Sequence, residues 1–404
     1  MNMQEHAPLS VHKPSVQEVF LAFLHLGLTS FGGPVAHLSY FRTEFVERRR
    51  WLDEHTYADL LGLCQFLPGP ASSQVGIALG LSRAGYAGAL AAWAGFTLPS
   101  ALALILFALG LPHLGSIFGG ALHGLKVVTV AVVAQALWQM GRNLCPDRPR
   151  ATMAVAAAVT VGLMPTALGQ VGMIVVGALM GNILLKKVPH LPHATLRTGM
   201  NWHVGVLSLT LLFGLLIGLP LLGVATHNHL ILLIDAFYRA GTLVFGGGHV
   251  VLPLLQTAIV GPGWVNNDAF LAGYGIAQAV PGPLFTFSAY LGAIAQPAPS
   301  GWLGGFICLV AIFLPAFLLV FGAMPFWEKI RHYHTAQRTM MGVNATVVGI
   351  LLAAFYHPVW TDAIIRPVDF GLAVTAYLLL VFWRIPSWLV VVLSATAGIV
   401  TAQF

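Results

Sequence analysis

Two proline–glycine–proline motifs interrupt otherwise apolar stretches of the chain, Pro68-Gly69-Pro70 and Pro281-Gly282-Pro283. Proline lacks a backbone N–H and clashes with the preceding helical turn, so a helix must end at each motif. The second proline suits the first position of a new helix. Each motif therefore predicts a half-helix whose free N–H groups and positive dipole end would attract an anion. The alternative is a structural kink whose backbone groups are satisfied by neighbouring helices.

Hydroxyl and amide side chains lie close to both motifs and could complete a hydrogen-bonding shell for an oxyanion. A buried glutamine needs hydrogen-bond partners, and a substrate oxygen or a protein group could equally supply them. The candidate substrate-binding residues of this kind are Gln65, Ser72, Ser73, Gln74, Gln278, Thr286 and Ser288, with the motif glycines Gly69 and Gly282.

Two glycine clusters predict a second pair of helix breaks, Phe31-Gly32-Gly33-Pro34 and Phe245-Gly246-Gly247-Gly248. Glycine allows another backbone or a ligand to come close, which makes these clusters candidate substrate contacts. Close helix packing, common for small residues in membranes, is the alternative. The glycines concerned are Gly32, Gly33, Gly246 and Gly247.

Ionisable residues inside apolar segments are costly and suggest a function. Arg239 is a candidate anion ligand, although Asp235 lies four residues before it on the same helix face and an internal ion pair is the alternative. Arg239 matches His25 in the repeat described below, so a cationic pair could face a central anion. Glu18 lies on the predicted face of His25 and could pair with it, and His249 could titrate near neutral pH. The candidate ion-coupling residues are Glu18, His25, Asp235 and His249.

Sequence motifs of enzymes and metal proteins are missing from the chain. HExxH, GxSxG and Walker motifs do not occur. The three cysteines, Cys64, Cys145 and Cys308, are far apart and form no CxxC motif. We therefore expect neither a metal nor another cofactor. A membrane-embedded enzyme is a weak alternative, because it would need a redox group or a nucleophile–base pair.

The composition is that of a membrane protein. Of the 404 residues, 57% are apolar and only 8% are charged, against roughly 25% charged in a soluble domain. Residues 269–327 contain no Asp, Glu, Lys or Arg, and because a span needs about 20 apolar residues they must hold more than one helix. We predict an all-α polytopic membrane protein in the lipid bilayer. The net charge of +6 does not indicate a nucleic-acid partner, because the basic residues lie in short loops beside apolar spans.

The motifs recur in the same order, which indicates an internal duplication. The glycine clusters, Trp51 and Trp264, and the proline–glycine–proline motifs are related by an offset of 213 or 214 residues. Further along, Leu98-Pro99 matches Leu314-Pro315, and Gly124 matches Gly342. The predicted divisions are a polar N-terminal segment (1–15), a first repeat (16–200), a linking transmembrane helix (201–228) and a second repeat (229–404).

The charges at matched positions predict that the two halves have inverted topology. Residues 42–59 carry nine charged side chains, whereas residues 256–272 carry only Asp268. The contrast reverses further on, where residues 111–122 are uncharged and their counterpart contains basic residues. Because Lys and Arg mark cytoplasmic loops, equivalent loops face opposite sides of the membrane.

The same charge pattern also limits how the first helices cross the membrane. The parity of crossings is consistent only if residues 17–41 and 57–82 each enter the membrane and return. Both segments have a Pro/Gly break near the middle, so we expect broken or re-entrant helices there.

The combination of motifs resembles the chromate transporter family over nearly the whole chain. In the first half the resemblance rests on Phe31-Gly32-Gly33-Pro34, Phe45-Val46-Glu47-Arg48-Arg49-Arg50-Trp51-Leu52, Gln65-Phe66-Leu67-Pro68-Gly69-Pro70 and Phe96-Thr97-Leu98-Pro99. In the second half it rests on Phe245-Gly246-Gly247-Gly248, Pro281-Gly282-Pro283, Ser288-Ala289-Tyr290-Leu291-Gly292 and Gly342-Val343-Asn344-Ala345.

The resemblance implies a two-domain bacterial member in the inner membrane that exports chromate and gives resistance to it. It also implies energy from the proton-motive force and sulfate as a competing anion. A transporter of sulfate or another oxyanion remains the alternative, because sulfate and chromate share charge and shape. The sequence leaves a homodimer open.

Overall fold

The computed structural model describes residues 15–110, 117–185, 201–330 and 333–402. All regular elements in these ranges are helical, and six helices are long and apolar enough to cross a membrane, which confirms the predicted all-α membrane class. The first repeat contains α1 (Val16–Thr29), α2 (Gly33–Arg42), α3 (Glu54–Phe66), α4 (Ala71–Gly110), α5 (Ile117–Leu144), α6 (Arg148–Leu163) and α7 (Ala167–Leu184). Between the repeats lies α8 (Trp202–Thr226).

The second repeat repeats this order in shorter pieces. It contains α9 (His229–Leu243), α10 (Val251–Leu255), α11 (Asn267–Ala277), α12 (Phe287–Ile294), α13 (Gly301–Ala323), α14 (Trp327–Ile330), α15 (His334–Ala354), α16 (Thr361–Ala363), α17 (Pro367–Val381) and α18 (Ser387–Thr401). Short π-helical segments occupy Thr43–Arg48, Gln256–Val260 and Phe355–Trp360, and 3-10 turns occupy Gly248–Val250, Leu284–Thr286 and Met324–Phe326.

The first predicted re-entrant segment is formed by α1 and α2. These helices are separated by a break at residues 30–32, and Phe23 of α1 packs against Phe41 of α2, with ring centroids 5.5 Å apart. Beyond α2, the Arg49 guanidinium lies 3.9 Å from the Glu18 carboxylate at the start of α1. The segment therefore returns to the side at which it began, as predicted.

The second re-entrant segment consists of α3 and the first part of α4. Asp53 caps the start of α3 by accepting a hydrogen bond from the Thr56 amide at 2.8 Å, and α3 ends at Phe66, just before the first proline–glycine–proline motif. The Arg83 guanidinium donates to the Trp51 carbonyl at 3.3 Å and lies over the Trp51 ring. The two ends of the segment therefore lie together, as expected of a re-entrant segment.

The chain reverses again inside α4. Ala84 and Gly85 have non-helical backbone angles, and a Cβ added to Gly80 would overlap the carbonyl oxygen of Gly88. Residues eight apart in a straight helix are separated by about 12 Å along its axis. The span from Ala71 to Gly110 is therefore two antiparallel helices in close contact.

The second repeat has the same construction. The Gln296 amide donates to the Trp264 carbonyl at 2.9 Å, which is the counterpart of the contact between Arg83 and Trp51. A Cβ on Gly292 would overlap the carbonyl oxygen of Gly304, as Gly80 would with Gly88. The duplication predicted from the motif order is thus also present in the backbone contacts.

The long helices are exchanged between the repeats, so that a long helix of each repeat packs against helices of the other. Helix α5 of the first repeat packs against α17 and α18 of the second, and α15 of the second repeat packs against α6 and α7 of the first. The contacts are glycine-lined: a Cβ on Gly124 would overlap the Ser394 carbonyl, and one on Gly342 would overlap the Gly177 carbonyl. Reciprocal exchange of equivalent parts indicates an approximate twofold relation between the repeats.

Candidate functional site

The helix breaks of the two repeats meet in the interior. The Gly69 amide donates to the Val244 carbonyl at 2.6 Å, and the Gly282 amide donates to the Ser30 carbonyl at 2.9 Å. Each proline–glycine–proline turn is thus tied to the break between the first two helical segments of the other repeat. Both glycines have φ values that favour glycine, +112° and +98°.

The two glycine clusters touch as well. A Cβ on Gly248 would lie 3.7 Å from Cγ of Pro34, which directly follows Gly32 and Gly33. A Cβ on Gly246 would lie 2.9 Å from Leu144 of α5 and 3.6 Å from the Asn344 side-chain oxygen of α15. A Cβ on Gly247 would lie 3.9 Å from the Met140 sulfur of α5. The four breaks predicted from the sequence therefore lie together in one central region.

The start of α4 carries the polar groups predicted there. Ser72, Ser73 and Gln74 are all buried. The Gln74 side-chain amide donates to the Pro68 carbonyl at 2.6 Å. The Ser72 hydroxyl lies 3.5 Å from Nδ1 of His37. Among the described residues, the Ser73 hydroxyl has no hydrogen-bond partner. This first turn has donors to spare, as expected of a helix that begins at a proline.

Sequence reasoning missed four further buried polar residues, Ser30, His37, Thr97 and Ser100. His37 lies beside Ser72 of this turn, whereas Ser30 and Ser100 contact Gly282 of the second proline–glycine–proline motif. The His37 ring packs edge-on against Phe96, with centroids 5.2 Å apart. The Ser100 hydroxyl donates to the Thr97 carbonyl at 3.0 Å, and a Cβ on Gly282 would lie 2.9 Å from that hydroxyl. The available signal was polar residues inside apolar segments. We call Ser30, His37, Ser72, Ser73, Thr97 and Ser100 the first-half polar cluster.

The corresponding turn of the second repeat is arranged differently. The Thr286 hydroxyl donates to the Pro283 carbonyl at 2.8 Å, whereas the buried Ser288 hydroxyl has no partner in the described part of the chain. Gln278 accepts from the Ser387 hydroxyl through its backbone carbonyl, and its side-chain amide nitrogen is buried without a described partner. Gln65, its counterpart at the end of α3, is exposed.

The predicted ionisable residues do not form one cluster. Arg239 makes an ion pair with Asp235 at 2.5 Å, which is the alternative considered for it. Its repeat counterpart His25 is exposed, so the two residues have different surroundings. Glu18 lies beside Arg49 and not in a pair with His25.

His249 and two polar contacts between the repeats complete the ionisable groups of interest. His249 Nδ1 is 2.7 Å from the Tyr274 hydroxyl. Lys126 of α5 contacts the Asp268 carboxylate at 2.9 Å, and His123 contacts Asp369 at 2.8 Å. Within the described ranges, no group of three or more His, Cys, Asp or Glu residues is arranged to hold a metal ion.

Comparison with known proteins gives consistent relatives. The chain is 29% identical to the chromate transport protein of Pseudomonas aeruginosa over 349 residues, which cover 83% of this chain and 79% of that protein. It is 28% identical to the probable chromate transport protein of Synechococcus elongatus, over 86% of this chain and 85% of the relative. The chromate transport protein of Cupriavidus metallidurans is 25% identical over 96% of this chain and 93% of the relative.

No solved structure gives a significant match. The family model described as chromate transporter matches twice, over residues 17–182 and 231–399, and so covers both repeats and leaves α8 between them. With most of its length matched and with both sets of helix breaks inside the matched ranges, the chain belongs to the chromate transporter family.

Proposed function

We propose that this protein exports chromate from the cytoplasm across the bacterial inner membrane and thereby gives chromate resistance. The observation that carries the proposal is the meeting of four helix breaks in the interior, each of which is followed by a new helical segment. Helix N-termini attract anions through unpaired N–H groups and the positive end of the helix dipole. Chromate is a tetrahedral dianion and fits such a site.

The duplicated architecture supports alternating access to this region. Transporters built from inverted repeats bind their substrates near the membrane midplane, at broken helices where the repeats meet. Here the re-entrant segments of both repeats bring their breaks to one place, where backbone hydrogen bonds join Gly69 to Val244 and Gly282 to Ser30. Movement of the re-entrant segments relative to the exchanged long helices would open the site to alternate sides.

The proposed direction of transport follows from the charge of the substrate. With the cytoplasm negative, the export of one elementary negative charge is favoured by about 2.3 kcal/mol per 100 mV of membrane potential. A dianion therefore gains about 4.6 kcal/mol per 100 mV by the same rule. The membrane potential alone favours export, whereas uptake of chromate would need a coupled cation.

The test uses inside-out membrane vesicles that contain the protein and radiolabelled chromate. We expect uptake into energised vesicles, loss of uptake when the potential is collapsed, and inhibition by excess sulfate. Vesicles from the same cells without the protein are the control. If sulfate is taken up and chromate is not, the proposed anion site stands and sulfate replaces chromate as the proposed substrate. Absence of movement of either anion would contradict the proposal.

A further inference from the structure

We propose that only the first of the two equivalent half-helix ends binds the oxyanion, so that each chain has one anion site, formed at the first-half polar cluster. This inference rests on the proposed function, because it takes a tetrahedral oxyanion as the cargo. It departs from the symmetric site that the duplicated motifs suggest.

The repeat relation identifies the counterpart of every member of the cluster. Gly27 packs against the backbone of Phe96 as Gly241 packs against Ile312, so the matched helices are aligned by structure as well as by sequence. The counterparts of Ser30, His37, Ser72, Ser73, Thr97 and Ser100 are Val244, Val251, Phe285, Thr286, Phe313 and Ala316. Five of the six polar residues are thus replaced by apolar ones in the second repeat.

Aromatic rings fill the second-half position. Phe285 and Phe313 are fully buried and pack together with ring centroids 5.9 Å apart, and Phe287, the counterpart of Gln74, packs against Phe270 at 5.3 Å. The one hydroxyl retained from the cluster, on Thr286, already donates to Pro283. An anion there would lose its hydration against hydrocarbon, which costs far more than one helix end returns.

The first-half cluster has the opposite property, because three of its six side chains have a buried oxygen without a hydrogen-bond partner in the described part of the chain. Ser30 Oγ, Ser73 Oγ and Thr97 Oγ1 have no hydrogen-bond partner among the described residues. The His37 ring hydrogen-bonds with the Ser30 backbone and lies beside the Ser72 hydroxyl. Buried polar atoms are nearly always paired in native proteins, so this concentration of hydroxyl groups near a helix N-terminus offers hydrogen bonds that a water molecule or an anion can complete. The ligand chemistry that fits hydroxyl and N–H donors is an acceptor-rich oxyanion.

The cluster lacks a guanidinium or ammonium group, which agrees with a site that must also release its anion. Arg42, the charged residue of the adjacent helix α2, is exposed and bound to Glu54 at 2.8 Å. Binding by neutral dipoles gives selectivity for shape while keeping the affinity low enough for passage.

Ser73→Ala tests the inference, because it removes a buried hydroxyl that bonds to nothing else in the described protein. The measurement is equilibrium dialysis of radiolabelled chromate, and separately of radiolabelled sulfate, against the purified full-length protein in detergent. We expect one anion bound per chain and a Kd raised about tenfold or more by the substitution, since hydrogen bonds to charged groups are the strong ones. Thermal unfolding should be unchanged.

Two matched serine substitutions make the result specific. Ser208→Ala removes a buried serine from α8, outside both repeats, and should leave the Kd unchanged. Ser288→Ala removes the unpartnered serine of the second repeat and should raise the Kd less than threefold.

Each remaining outcome has a defined meaning. Two anions per chain, an unaffected Ser73→Ala, or equal losses in Ser73→Ala and Ser288→Ala would overturn the single first-half site. If the unmodified protein binds neither chromate nor sulfate, the proposed function itself fails.

A further substitution within the cluster, His37→Val, introduces the second-repeat residue at the equivalent position and should also weaken binding at least tenfold.

Discussion

The amide of Gly69 donates to the carbonyl of Val244, and the equivalent Gly282 donates in the same way to Ser30. The pair of bonds is reciprocal between the repeats, so each repeat holds the break of the other. Because both partners are backbone groups, side-chain substitution cannot remove these bonds directly. It can only disturb them through backbone strain or crowding, which makes the two glycines the sensitive positions.

Gly282→Ala should reduce transport more than tenfold. Its φ of +98° costs about 1–2 kcal/mol for a residue with a Cβ. The added Cβ would also lie 2.9 Å from the Ser100 hydroxyl and 3.1 Å from the Phe96 carbonyl, inside the proposed anion site. Radiolabelled chromate uptake per molecule of protein in the membrane is the measurement.

The control for this substitution is Gly263→Ala. Gly263 has a similar positive φ of +79°, but no atom lies within 4 Å of an added Cβ. We expect it to share the backbone strain and to keep most of the transport. Equal transport by both variants would show that crowding at the helix break has no functional effect.

Replacement of Arg239 separates a structural from a substrate-binding role. Asp235 is 2% exposed, so Arg239→Gln leaves a buried carboxylate without its partner, which typically costs 3–5 kcal/mol. We expect a lowered melting temperature and loss of transport. The double substitution Asp235→Asn with Arg239→Gln removes both charges and should restore stability.

Transport by that double variant then decides the role of the arginine. If Arg239 binds the anion, as the sequence suggested, the stable double variant should remain at least tenfold impaired in chromate uptake. Full recovery of uptake would restrict Arg239 to a structural ion pair with Asp235.

The exchange of long helices predicts that neither repeat is stable alone. Residues 1–200 would expose the face of α5 that packs against α17 and α18, and residues 201–404 would expose the face of α15 that packs against α6 and α7. We expect the two fragments to accumulate and co-purify only when they are expressed together. A single fragment that purifies as a monodisperse, cooperatively unfolding protein would contradict the exchange.

Sequence reasoning predicted the helical class, the duplication and the re-entrant segments, because Pro and Gly have backbone consequences that require no knowledge of the partner. It did not predict the exchange of helices, since no charge or motif in α5 or α18 identifies the other helix as its packing partner. It also missed Ser30 and His37, which come to the start of α4 only through the folding back of α1 and α2. Because both proline–glycine–proline motifs were expected to bind the anion, the aromatic side chains that occupy the second-repeat position were not foreseen.

The inverted orientation of the repeats predicts opposite accessibility at two matched surface positions. Glu47 lies in the charged segment of the first repeat, and Gly261 is its counterpart; both residues are exposed. After replacement of the three native cysteines, Glu47→Cys should react with a membrane-impermeant maleimide only in inside-out vesicles. Gly261→Cys should react only in right-side-out vesicles.

If the repeats were parallel, both cysteines would be labelled from the same side of the membrane. That outcome would leave the contacts of Gly69 with Val244 and of Gly282 with Ser30 unchanged, because a twofold relation can also have its axis along the membrane normal. It would remove alternating access by inverted repeats, since equivalent segments would then enter from the same side. The labelling pattern therefore tests the orientation of the twofold axis, on which the proposed transport cycle depends.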